Sequence, residues 1–235
     1  MKHYQNPFST LTKREYAIWI FSMLAVTVSF FLGAERDVLT LIASLIGVTA
    51  LIFVAKGDVM GQMLTVVFAI VYSIISWRLQ YYGEMITYLF MSAPIALLST
   101  LSWLRHPYED GKNEVEVARV TPRAWILLSL SSVAVTIAFY FILAYFNTAN
   151  LIVSTVSVTT SFFAASLTFL RSPYYGLGYA ANDVVLIILW GAASIHDPQY
   201  LPMVLCFATF LLNDIYGFFN WRRMKKRQST PLTRE

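Results

Sequence analysis

Two stretches near the end of the chain decide its fold: YAANDVVLIILW at Tyr179–Trp190 and FLLNDIYGFFNW at Phe210–Trp221. Each lies in an apolar run of about 20 residues, the length that a helix needs to cross the hydrocarbon core of a bilayer. Each also carries an Asn-Asp pair, at 182–183 and 213–214, which is therefore expected at membrane depth. Because polar and ionisable groups are costly there, they usually face a cavity or a ligand path. The sequence predicts a membrane protein with a polar chamber.

The overall composition supports this interpretation. Of 235 residues, 57% are hydrophobic and 13% are charged, and the mean hydropathy is +0.60. A soluble domain of this length cannot bury so much apolar surface, whereas spanning helices require it. Cys206 is the only cysteine, the three histidines lie outside the apolar runs, and no phosphate-binding loop or nucleophile elbow occurs. We therefore expect neither a metal, nor another cofactor, nor a catalytic site.

Eight apolar segments predict an all-α polytopic membrane protein with eight transmembrane helices. Lipid cannot satisfy open backbone groups, and no alternating barrel pattern is present, so only helices fit these segments. The segments cover residues 16–33, 38–55, 59–77, 84–104, 124–145, 150–170, 174–194 and 199–220.

The basic residues predict the orientation of these helices. If the N-terminus is cytoplasmic, 15 of the 17 Lys and Arg lie in inner segments, and only Arg36 and Arg78 lie in outer loops. This bias predicts that both termini are cytoplasmic. A signal peptide over residues 1–34 is disfavoured, because the apolar stretch is long and lacks a good cleavage site. The basic run after Trp221 is interpreted as a stop after the last helix and not as a nucleic-acid or lipid site.

Weak self-similarity predicts an internal repeat. KGDVMG at 56–61 aligns with RSPYYG at 171–176, and SWLR at 102–105 aligns with NWRR at 220–223. A unit of three spans needs one further crossing before its copy can point the same way, which explains a linker helix between two parallel units. The predicted segments are an extra N-terminal helix (1–36), the first repeat (37–105), a cytoplasmic loop and linker helix (106–148), the second repeat (149–221) and a basic cytoplasmic tail (222–235).

Amide, carboxyl and aromatic side chains on four spans form the predicted substrate site. Asn182 and Asn213 each lie about eight residues, roughly 12 Å, from the cytoplasmic end of their helix, so both are expected in one layer of the chamber. Asp214 points about 100° away from Asn213 and is interpreted as structural. The candidate residues are Asn182, Asp183, Trp190, Asn213, Tyr216, Gln62, Tyr88, Tyr72, Glu84 and Trp77.

This set of side chains favours a small, neutral or cationic substrate that carries a ring and hydroxyl groups. Amides can hydrogen-bond a carboxamide or a sugar diol, and aromatic rings can stack on a flat cation. No Lys or Arg lies deep in a span, so a phosphorylated substrate is disfavoured. Glu84 is equally well interpreted as a solvated residue near the outer surface, and Trp77 as a membrane-interface residue. The interface interpretation is preferred for Trp103 and Trp221.

The stretches at 56–109 and 172–223 resemble the PnuC-type nicotinamide riboside transporters of bacteria, over about residues 36–224. YAAND and LNDIYG are the most specific parts of this likeness. The resemblance implies a SWEET-like 3+1+3 fold in the bacterial inner membrane, in contact with membrane lipid. It implies facilitated diffusion of nicotinamide riboside, an NAD precursor, made one-way by a cytosolic riboside kinase. It also allows a homo-oligomer, a trimer, and gives no reason to expect a nucleic-acid partner.

The resemblance leaves the substrate less certain than the fold. Family binding sites use Trp, Asn, Gln and Tyr, and the residues of matching type here are Asn182, Trp190, Asn213, Tyr216, Gln62 and Tyr88. One alternative is a uniport or proton-coupled carrier of another vitamin such as thiamine, with Asp183 or Glu84 as the protonation site. A second alternative is a membrane-embedded enzyme or sensor, for which the chain shows neither a catalytic constellation nor a soluble output domain.

Overall fold

The protein is described by a computed structural model that covers residues 6–32, 37–78, 80–109, 113–148, 150–196 and 198–229. Within these ranges, eight helices are long and apolar enough to cross a membrane. This confirms the predicted all-α polytopic fold. The helices are α1 (Lys13–Leu32), α2 (Val38–Lys56), α3 (Val59–Arg78), α4 (Tyr82–Arg105), α5 (Pro122–Tyr145), α6 (Leu151–Phe169), α7 (Tyr175–His196) and α8 (Leu201–Gln228).

The helix ends follow from local sequence. Asp37 caps α2 by accepting a hydrogen bond from the backbone N–H of Thr40, and Gly57 ends the same helix with a φ of +77°. Thr121 caps α5 in the same way, directly before Pro122. The last helix is longer than the predicted span, since α8 continues through residues 222–228 of the predicted basic tail.

Six of the helices form a ring around a central cavity. Successive helices pack against each other within α2–α3–α4 and within α6–α7–α8, and the two units meet where α2 packs on α8 and α4 packs on α6. We call these contacts the α2–α8 seam and the α4–α6 seam. Helix α1 covers the first seam by packing on both α2 and α8, and α5 covers the second through contacts with α6 and α4. This is the packing order that the predicted repeat requires; the repeat itself stays a prediction.

Two buried tryptophans join the units at the end of the bundle where α2 and α6 finish. We call it the basic end, because Lys56, Arg105, Arg171 and the cations of α8 lie there. Trp103 Nε1 donates to the carbonyl oxygen of Thr168 at 3.1 Å, and Trp221 Nε1 donates to that of Val54 at 2.9 Å. Each tryptophan thus binds the first helix of the other unit, and the two rings are 5.3 Å apart. The prediction that they lie at the membrane interface is wrong, because they are 2% and 0% exposed.

The chain between α4 and α5 crosses the basic end, and we call its residues 113–118 the strap. The N–H of Val115 donates to the carbonyl of Gly57, and the N–H of Ala118 donates to that of Arg171. Gly57 and Arg171 occupy matching turns, one after the first helix of each unit, and both have positive φ. The strap therefore binds the same turn in both units.

Side chains hold the strap in place. Val115 is 1% exposed and packs in the core cluster that contains both tryptophans and Met224. Gln228, at the end of α8, accepts from the N–H of Val117 at 2.7 Å and donates to the carbonyl of Val115 at 3.1 Å. Arg227 forms an ion pair with Glu114. The buried cluster of Val54, Trp103, Val115, Trp221 and Met224, which we call the plug, therefore fills the basic end of the ring, and the strap packs against it through Val115.

Candidate substrate site

A cavity of about 270 Å³ lies inside the ring and is lined by all six of its helices. This volume is close to the lower limit of about 300–1,000 Å³ for small-molecule sites. Seven of the ten predicted site residues line it: Gln62, Tyr72, Glu84, Tyr88, Asn182, Asp183 and Trp190. Their contact with a substrate stays a prediction.

Helices α3 and α4 supply an aromatic wall. The rings of Tyr72 and Tyr88 are 4.4 Å apart, and Phe68 packs on both of them. Tyr72 Oη donates to Glu84 Oε2 at 3.0 Å. Glu84 is therefore hydrogen-bonded in the cavity wall, which differs from its interpretation as a solvated surface residue. This arrangement places an acidic group beside flat ring faces.

The backbone of α4 changes its winding where it meets the cavity. Residues Thr87–Ser92 form a π-helical turn between two α-helical segments. Pro94 lies two residues after this turn, and it lacks the N–H that would bond the carbonyl four residues earlier. Thr87, Tyr88 and Ser92 all line the cavity. Such π-helical turns often occur at functional sites, because they re-aim side chains locally.

Asn182 supplies an amide from α7. Its Oδ1 accepts hydrogen bonds from Ser157 Oγ at 3.0 Å and Thr160 Oγ1 at 2.8 Å, both on α6. Its Nδ2 group makes no hydrogen bond to the described residues. Since Asn182 is 7% exposed and lines the cavity, this N–H₂ group is a free donor on the cavity wall.

Two carboxyl groups meet between α7 and α8. Asp183 and Asp214 are each 4% exposed, and their side chains lie within hydrogen-bonding reach of each other. Both line the cavity. Together with Glu84, they give three acidic residues in a described lining that contains no Lys, Arg or His. The cavity therefore suits a cationic molecule and not an anionic one.

Comparison with known proteins agrees with this geometry. Residues 37–223 match the sequence profile of the nicotinamide mononucleotide transporter family. The chain belongs to this family. It is accordingly a multi-pass bacterial membrane protein that transports a small molecule, and it is not an enzyme.

Individual members of the family can be compared over most of their length. The chain is 26% identical to the nicotinamide riboside transporter PnuC of Neisseria mucosa, over 91% of this chain and 82% of that protein. It is 21% identical to the PnuC of Haemophilus influenzae, over 89% and 90%. The crystal structure of the vitamin B3 transporter PnuC superposes with a TM-score of 0.77 at 25% identity, covering 93% of this chain and 94% of that one.

Asn213 lies outside the cavity of this family member, and the expectation that it shares a chamber with Asn182 is wrong. Its Nδ2 donates to Ser22 Oγ on α1 at 2.8 Å and to the carbonyl of Thr209 at 2.9 Å. Helix α1 covers the outer side of α8, so the arc that carries Asn213 faces α1. Asp214, turned by one residue, faces inward instead.

Tyr216 and Trp77 also lie outside the cavity. Tyr216 Oη donates to Glu15 Oε1 on α1 at 3.0 Å. Trp77 is 62% exposed at the far end of α3, in agreement with its alternative interpretation as an interface residue. Asp214, interpreted from the sequence as structural, lines the cavity instead. The signal that could have found it is the 100° step between adjacent residues, which places Asp214 on a different arc from Asn213.

Proposed function

We propose that this transporter carries nicotinamide riboside by facilitated diffusion, as a uniporter. The observation that supports it most is the charge of the cavity, with three acidic residues and no basic residue in its described lining. Nicotinamide riboside has a positively charged pyridinium ring, a carboxamide and a ribose. Each part finds a matching group, since rings and carboxylates attract a flat cation and amides bond a carboxamide or a diol.

The same observation favours the riboside over its phosphorylated form, nicotinamide mononucleotide. Phosphate is normally bound by Arg, Lys or several backbone N–H groups, which neutralise its charge. In this cavity a phosphate would meet Glu84, Asp183 and Asp214 without a compensating cation. The curated relatives, which are nicotinamide riboside transporters, agree with this preference.

In the proposed binding mode, aromatic rings hold the pyridinium and polar groups hold the rest. Trp190 and Tyr88 stack on the ring, and Tyr72 supports Tyr88. The free N–H₂ group of Asn182, with Gln62, bonds the carboxamide or the ribose. The acidic residues offset the positive charge.

A matched pair of tryptophans tests this site. Trp190 lines the cavity, whereas Trp77 is 62% exposed outside it. Loss of one stacking partner costs about 1–3 kcal/mol, so Trp190→Ala is expected to weaken riboside binding to the purified protein by roughly 5- to 150-fold. Trp77→Ala is expected to leave binding unchanged. Equal effects of the two substitutions would show that the cavity is not the binding site. Tighter binding of the mononucleotide than of the riboside would reject the proposed substrate.

Net transport is directed into the cell in this proposal. We expect the protein to lie in the bacterial inner membrane with its basic end and both termini on the cytoplasmic side. A riboside kinase in the cytoplasm then phosphorylates the substrate. The added phosphate prevents return through an acidic cavity. In liposomes without kinase, the riboside is expected to equilibrate and a pH gradient to have no effect. Accumulation driven by that gradient would favour the proton-coupled alternative. A homotrimer remains a prediction from the family resemblance.

A further inference from the structure

The pair Asp183–Asp214 is an incomplete polar site. Its two side chains come from different helices, are 4% exposed and lie within hydrogen-bonding reach of each other. Asp183 Oδ2 has no hydrogen-bond partner among the described residues. This oxygen is buried, while both residues line the cavity, so the pair stands at the cavity wall with no donor from the described part of the chain that satisfies it.

No positive charge balances the pair within the described lining. Tyr88 on α4, Tyr179 on α7 and Cys206 on α8 interact electrostatically with Asp183, and none of them can become a cation. Glu84, on the opposite wall, adds a third acidic group. Two carboxylates that share a buried site cannot both be ionised without a counter-charge. We therefore expect the pair to share one proton and to carry a single negative charge.

We propose that the pair Asp183–Asp214 selects positively charged substrates, its single negative charge compensating the charge of the bound ring. This rests on the proposed function, because it places the charge of the substrate in the same cavity. It gives a part in specificity to Asp214, which was interpreted from the sequence as structural. A neutral ring of the same shape keeps its stacking on Tyr88 and Trp190 but loses the ionic contact.

A matched pair of ligands separates charge from shape. Nicotinamide riboside carries a positive charge on its pyridinium ring, whereas its 1,4-dihydro form is neutral and nearly the same size. Binding of both to the purified full-length protein is measured by titration calorimetry. We expect the wild type to bind the cation about 10- to 100-fold more tightly, the range of one charge-assisted contact in a dry site.

Asparagine substitutions test whether the two residues act as a unit. Asn imitates a protonated Asp in shape and can donate a hydrogen bond to the remaining carboxylate. The single variants Asp183→Asn and Asp214→Asn should therefore keep most of the preference for the cation. The double variant should lose it and bind both forms equally, with the affinity for the neutral form unchanged. Unchanged binding of the neutral form also shows that the variant is folded.

Three results would contradict the proposed role of the pair Asp183–Asp214. The first is an equal loss of both ligands in the double variant, as expected of a purely structural role. The second is complete loss of preference in one single variant, which would assign the charge to one residue. The third is loss of preference in Glu84→Gln, which would move the charge site to the opposite wall.

A second matched pair distinguishes this proposal from the choice of substrate. Thiamine has a cationic thiazolium ring, and 3-deazathiamine is its neutral analogue. A wild type that prefers thiamine to its analogue but binds neither riboside form rejects the proposed substrate and supports the pair. Equal binding of both riboside forms rejects the charge-selecting role of the pair but is consistent with the proposed substrate. Binding of neither cation overturns both.

Discussion

The two seams between the three-helix units are each covered by one helix, but they are held in different ways. At the α2–α8 seam, α1 makes side-chain hydrogen bonds to both units: Trp19 Nε1 donates to Thr49 on α2, and Ser22 accepts from Asn213 on α8. At the α4–α6 seam, α5 packs mainly through apolar side chains such as Phe139 and Leu143.

The polar contacts of α1 converge on one carboxylate. Glu15 Oε2 accepts from Lys56 Nζ on α2 at 3.3 Å and from the N–H of Thr12 at 2.6 Å, while Oε1 accepts from Tyr216 on α8 at 3.0 Å. Directional bonds of this kind are lost when helices slide, whereas apolar contacts can exchange partners. We therefore expect the α2–α8 seam to stay fixed during transport and the α4–α6 seam to open.

The largest expected effect comes from Glu15, whose side chain is 3% exposed. Glu15→Ala leaves Tyr216 without its acceptor and removes the ion-pair partner of Lys56, which keeps only the carbonyl of Thr10 among the described residues. Breaking a buried ion pair costs about 3–5 kcal/mol, and we expect about 2–4 because the Lys56 side chain keeps some contact with solvent. The measurement is the free energy of unfolding in detergent.

The ion pair between Arg171 and Glu116 provides the matched control for Glu15. Glu116 is 58% exposed, so Glu116→Ala is expected to change stability by less than about 1 kcal/mol. Similar losses of unfolding free energy in the two variants would contradict the stabilising role of Glu15 between α1, α2 and α8.

The two buried tryptophans should give a smaller and equal effect. Trp103→Phe and Trp221→Phe each remove one N–H donor, at 3.1 and 2.9 Å from a buried carbonyl, one at each seam. A buried carbonyl left unpaired costs about 1–3 kcal/mol, so both unfolding midpoints should fall to the same extent. A large difference would show that the seams already differ at the basic end, which restricts the comparison to the covering helices.

The smallest effect is expected from single hydroxyl groups. Ser22→Ala removes the contact of Asn213 with α1, and Thr136→Val removes the 2.7 Å hydrogen bond between Thr136 on α5 and Thr159 on α6. Each should cost about 1 kcal/mol in stability. The two variants should differ in transport. If the α2–α8 seam is the fixed side, Ser22→Ala loosens it and slows uptake, whereas Thr136→Val leaves uptake unchanged. The reverse result would exchange the roles of the two seams.

Much of the fold could be predicted because a bilayer imposes length and polarity on every span. Apolar runs and basic residues were enough for eight helices, most of which begin and end within three residues of the predicted bounds. The residues on α3, α4 and α7 that line the cavity were found for a similar reason, since polar arcs on these spans are costly in lipid and are expected to face the interior of the bundle.

The errors concern which face of a helix points inward. Asn213 and Asp214 are adjacent, and the hydropathy of α8 does not distinguish their two arcs. The choice depends on α1, whose Ser22 and Glu15 accept hydrogen bonds from Asn213 and Tyr216 from outside the ring. Position along a span also failed for Trp103, because a tryptophan near a helix end can lie in lipid headgroups or in a core, and only its neighbours decide.

The strap has a consequence for the rate of turnover. Its N–H groups bond to the turns at Gly57 and Arg171, so main-chain hydrogen bonds connect the two three-helix units at the basic end. With the basic end facing the cytoplasm, as proposed above, a substrate released there has to pass the strap and the buried side chain of Val115. We therefore expect the strap, which lies outside the cavity lining, to limit the rate of release, so that lengthening it changes flux without altering affinity.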